Sequence, residues 1–166
     1  DSCRPEMVYA VLDSNINVVY SNEIGITPLM RAASCHSLDV VQRIMDMGGV
    51  KTVNWIDESQ RTALNYAEFI VPETENKMGH EEVRLYLLEY MSPNSKLLSS
   101  TFWKYATVED LEAVIKAGGD TNYSRHGVMG MDSLIPFSLA LLNVSDYDVL
   151  KTLLDKKPSY RCKWDY

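Results

Sequence analysis

Apolar residues recur at helical spacing in several separated stretches of the chain. Leu38, Val41, Ile44 and Met45 fall on one side of a predicted helix, with Asp39, Gln42 and Arg43 on the other. Segments 81–88, 110–117 and 148–154 are read as helices of the same kind. Their Leu, Ile and Val rows are expected to join in one continuous core. Two of the four helices run into a glycine pair, Gly48-Gly49 and Gly118-Gly119, which marks a helix stop and chain reversal. The last ends at Lys156-Lys157-Pro158, where lysine complements the helix dipole and proline cannot continue the helix.

Ahead of the first of these helices stands Gly25-Ile26-Thr27-Pro28-Leu29-Met30-Arg31-Ala32-Ala33. Thr27 suits a helix N-cap, and Pro28 occupies the tolerated first turn. A related opening, Thr62-Ala63-Leu64-Asn65-Tyr66-Ala67, begins 35 residues after Thr27. The small Ala32, Ala33 and Ala67 let neighbouring helices approach closely. This combination resembles the ankyrin repeat, a unit of about 33 residues. In the family's register Asn22 takes the place of a turn Asp and Val18 that of a hairpin Val. Asn15 takes the place of the helix-ending Gly, which asparagine tolerates, and Val11-Leu12 that of a Leu pair.

The resemblance implies an all-α solenoid of stacked helix–turn–helix units joined by short hairpin loops. A single domain over 1–166 is expected: a half repeat at 5–22, repeats at about 23–56, 57–94, 95–127 and 128–158, and a cap or tail at 159–166. The chain reads as a fragment of a longer protein. Segment 71–79, with Pro72 and the acidic Glu73 and Glu75, is expected as an exposed loop between helices. Residues 97–106 are expected to form the first helix of the third repeat, although Phe102 and Trp103 stand where the family has two alanines. An irregular core there is favoured over a bent stack with a groove. In the fourth repeat Asp132 stands at the threonine position and is expected to cap the helix.

The 166 residues, 46% hydrophobic and 23% charged, have a globular composition. A formal net charge of −7 argues against nucleic acid, since no basic face is offered to phosphates. No apolar run has the length of a membrane span. The three cysteines, Cys3, Cys35 and Cys162, are far apart and odd in number. Free thiols in a reducing, cytoplasmic or nuclear compartment are therefore expected.

Candidate chemistry is sparse. Cys35-His36 are adjacent, which does not suit two ligands on one helix face. Asp57-Glu58 and Glu81-Glu82 read as solvated charge. No glycine-rich loop precedes a helix, as a phosphate site requires. No catalytic residue, metal or cofactor is expected. The resemblance instead implies a non-enzymatic, monomeric module that binds a protein or peptide through the concave face, made of hairpin tips and first helices. The positions so implied are Glu23, Ile24, Ile26, Arg31, Ile56, Glu58, Arg61 and Phe69. Ile24, Ile26 and Ile56 are expected to form an exposed apolar strip with a charged border. Tyr20, Trp55 and Tyr123, which follow the hairpin Val-Asn positions, are expected half-buried. The alternatives are a substrate-recruiting or regulatory domain of a larger enzyme, and a viral or bacterial effector that binds host proteins.

Overall fold

The computed structural model describes residues 13, 14, 16–35, 37–68, 77–125 and 135–156, with the backbone alone for 77–79. The described residues are all-helical, as the periodicity predicts. Chain contacts divide the protein into two compact units, Asp1–Met91 and Ser92–Tyr166.

In the first unit, helix α1 spans Pro28–Ser34 and α2 spans Leu38–Asp46. A 3-10 turn over Gly49–Thr52 follows. Then come α3, Ala63–Glu68, and α4, Lys77–Tyr90. Helices α1 and α3 have only seven and six residues, too short to persist by propensity. Their starts are held by matching caps. The Thr27 hydroxyl accepts from the Met30 N–H at 3.1 Å, and the Thr62 hydroxyl from the Asn65 N–H at 3.3 Å. In return the Met30 sulfur accepts from the Thr27 N–H, and Asn65 Oδ1 from the Thr62 N–H.

Like helices pack on like: α1 against α3, and α2 against α4. Ala32, Ala33, Ala63 and Ala67 are all buried, so the short helices approach closely. Leu29, Met30, Val40, Val41, Ile44, Leu64, Val83 and Leu87 belong to one core with them. Neither short helix has enough apolar surface to persist alone, and stacking supplies the missing burial.

The second unit holds α5 (Pro93–Leu97), α6 (Ser100–Tyr105), α7 (Val108–Lys116), α8 (Pro136–Asn143) and α9 (Tyr147–Asp155). Here α6 packs on α8, and α7 on α9. The glycine pair after α7 repeats the turn after α2. Gly48 and Gly118 both take left-handed backbone, φ 106° and 96°. A Cβ on Gly49 or Gly119 would stand under 3.0 Å from the carbonyl oxygen of Ile44 or Val114.

Several boundaries differ from expectation. Helix α4 begins at Lys77, four residues before the apolar pattern suggests, so part of the expected loop is helical; residues 71–76 lie outside the described set. The helix expected over 97–106 is the shorter α6, Ser100–Tyr105, and a helix the sequence did not suggest, α5, stands before it at Pro93–Leu97. The indole of fully buried Trp103 donates to the Leu97 carbonyl at 2.8 Å and so satisfies the end of α5. Phe102 meets it edge-on at 5.1 Å. These aromatics fill an irregular core. Helix α8 begins after Ile135, which makes no side-chain cap bond; Asp132, expected as a cap, lies outside the described residues. Of the expected half repeat at 5–22, residues 5–12 and 15 also lie outside them; Asp13 pairs with Arg43.

Candidate binding surface

Two neighbouring turns project from the first unit, ahead of α1 and α3. Both are closed by the same side-chain chemistry. Asn22 Oδ1 accepts from the Ile26 N–H at 2.8 Å, and Asp57 Oδ1 accepts from the Arg61 N–H at 2.8 Å. Backbone bonds complete each turn, from Asn22 N–H to Ile26 O and from Asp57 N–H to Arg61 O, both 3.0 Å. The left-handed position is Gly25 in the first turn, φ 80°, and Gln60 in the second, φ 60°.

The turns touch. The Glu58 N–H donates to the Ile24 carbonyl at 3.1 Å. A Cβ on Gly25 would sit 2.9 Å from Asp57 Cα and 3.1 Å from the Ile56 carbonyl. Glycine is therefore required twice at 25, for its backbone conformation and for the approach of the second turn. Ile24 and Ile56 stand on the two sides of this seam, 46% and 40% exposed. Glu23 and Glu58, both exposed, adjoin them. Tyr20 and Trp55 are exposed as well, contrary to the half-buried expectation, whereas Tyr123 is half-buried against Leu98. Arg31 is exposed on α1.

Two expected surface residues are placed otherwise, for one reason. Ile26 and Arg61 hold equivalent positions, at the base of each turn. Ile26 is 8% exposed and belongs to the core. Arg61 is half-buried, and its guanidinium pairs with Asp57 Oδ2 at 2.7 Å and donates to the Tyr66 hydroxyl at 3.0 Å. The Tyr66 hydroxyl donates in turn to Asp57 Oδ2 at 2.8 Å. Arg61 thus anchors its own turn and lies over the Tyr66 ring. Phe69 lies outside the described residues.

Asp57, too, is placed otherwise than the sequence suggests. It is 4% exposed and not solvated charge. Its match to Asn22 in the repeat register was the available signal. Burial by itself would raise its pKa, but bonds from the Arg61 side chain and backbone and from Tyr66 outweigh that and lower it. Burial, followed by the bond to Asp57, raises the Tyr66 pKa. The network is satisfied on every side and offers no free acid or base.

Cys35 is disulfide-bonded, so the three free thiols expected from the sequence are not found. The remaining cysteines, Cys3 and Cys162, lie outside the described residues. The argument that free thiols offered for a reducing compartment falls with them. No described helix is long and apolar enough to cross a membrane. Comparison with known proteins finds no matching family profile and no matching curated protein.

Proposed function

We propose that this chain is an ankyrin-repeat, non-enzymatic binding module that takes a protein or peptide partner on its projecting turns. The observation that carries the reading is that Ile24 and Ile56, both exposed, stand in two turns whose backbones are in contact. Turns closed and joined by backbone bonds lose little backbone freedom on binding. The repeat reading is supported by turn closure and helix capping that recur at a spacing of 35 residues, from Asn22 to Asp57 and from Thr27 to Thr62. The glycine turns that recur at Gly48-Gly49 and Gly118-Gly119, and the like-on-like helix packing, support it too.

The test is affinity capture with wild type and an Ile24→Ser/Ile56→Ser variant. Both positions are solvent-facing, so the variant is expected to unfold within a few degrees of wild type. Proteins captured by wild type should be depleted at least ~tenfold, since loss of a central apolar pair costs about 2 kcal/mol or more of binding. Identical captured sets, with matched unfolding curves, would refute the tip surface. Arg61 is left unchanged in this test, because its loss would disturb the turn itself.

A further inference from the structure

The tips carry a charge pattern as well as an apolar one, and it restricts the partner. Glu23 precedes Ile24 in the chain, and the Glu58 N–H is bonded to the Ile24 carbonyl. Two exposed glutamates therefore stand in the same two joined turns as Ile24 and Ile56. The arginines of the same region do not offset them at the tip. Arg61 is neutralised by buried Asp57, and Arg31 stands one helical turn into α1, not in either turn. The chain as a whole carries −7, so the longer-range field has the same sign.

We infer that the partner of the tips is a basic peptide segment, with an aliphatic side chain seated on Ile24 and Ile56 and lysine or arginine beside it facing Glu23 and Glu58. This rests on the reading of the tips as the binding surface and adds the chemistry of the ligand. The apolar contact supplies most of the affinity. The carboxylates supply specificity and on-rate, so binding weakens as salt screens them.

The experiment uses the full chain and three short synthetic peptides: leucine with lysine, leucine with glutamate, and serine with lysine in the same pattern. Binding is measured by fluorescence anisotropy at low and physiological salt. The leucine–lysine peptide is expected to bind best, at least ~tenfold tighter than either other peptide, and to weaken with salt. Glu23→Lys/Glu58→Lys is expected to weaken it at least ~tenfold, and Ile24→Ser/Ile56→Ser by a similar factor. Glu109→Lys/Glu112→Lys, on exposed positions of α7, makes the same change in net charge away from the tips and is expected to leave binding within about twofold, at the level of distant screened charges.

Equal loss in the α7 variant overturns the proposal, since it reduces the effect to net charge. Absence of binding by the leucine–lysine peptide overturns it too. Preference for the leucine–glutamate peptide, abolished by Ile24→Ser/Ile56→Ser, overturns the basic partner and leaves the tip surface standing. Binding that ignores Ile24→Ser/Ile56→Ser removes the tip surface itself. Each variant is first checked for an unchanged unfolding transition.

Discussion

Asp57 decides how the second turn is built. Its carboxylate receives the Arg61 backbone N–H, the Arg61 guanidinium and the Tyr66 hydroxyl. The folded protein holds this carboxyl below its ordinary value of 3.8. A lowered pKa means that the ionised form is the one folding favours. The contribution is therefore complete above about pH 4 and fades as pH falls through the folded value. Asp57→Asn keeps the shape but not the charge. It is expected to destabilise by about 1–3 kcal/mol at pH 7, within the range for hydrogen bonds to charged groups. The deficit should shrink as pH falls below ~4, where wild type loses the same charge. Urea unfolding across pH measures this; a deficit that stays constant to pH 2 would contradict it.

At the scale of elements, short helices owe their existence to what they are bonded to. Helix α6 is shorter than the helix expected over 97–106, and the break between it and α5 is bridged by Trp103, whose indole reaches back to the Leu97 carbonyl. Trp103→Phe keeps an aromatic in the core but leaves that buried carbonyl without its donor. An unsatisfied buried group and the lost volume should together cost about 2–4 kcal/mol. Thermal unfolding followed by circular dichroism checks this; a change under ~0.5 kcal/mol, the size of an ordinary surface substitution, would show that the bond does not hold the break. The caps of α1 and α3 were legible as Thr27 and Thr62. Their reciprocal acceptors, Met30 and Asn65, were not, because a methionine sulfur and an asparagine carbonyl fill one role with unrelated chemistry.

For the whole molecule, the disulfide at Cys35 changes both chemistry and stability. One bridge among three cysteines leaves one thiol. Thiol titration of the denatured, unreduced protein should give one equivalent, and peptide mapping should join the Cys35 peptide to that of Cys3 or Cys162. Three equivalents from protein kept free of reductant would refute the bridge. Reduction should cost about 2–4 kcal/mol, as expected for a cross-link that closes a long loop.

The sequence by itself determined the repeat spacing, the helical faces, the threonine caps and the glycine stops. Each is a local rule: a periodicity, a hydroxyl placed before a helix, or a backbone conformation that glycine tolerates. It also brought Ile24 and Ile56 into view as apolar residues in turns. Only the tertiary structure decided which turn residues face water. Ile24 and Ile26 are two positions apart and equally apolar, yet one is at the tip and the other is in the core. The difference is set by the second turn, whose backbone closes on Gly25 and whose equivalent of Ile26 is an arginine neutralised by a buried aspartate. Neighbouring turns make that choice together, and their contact joins residues more than thirty positions apart, such as Ile24 and Glu58.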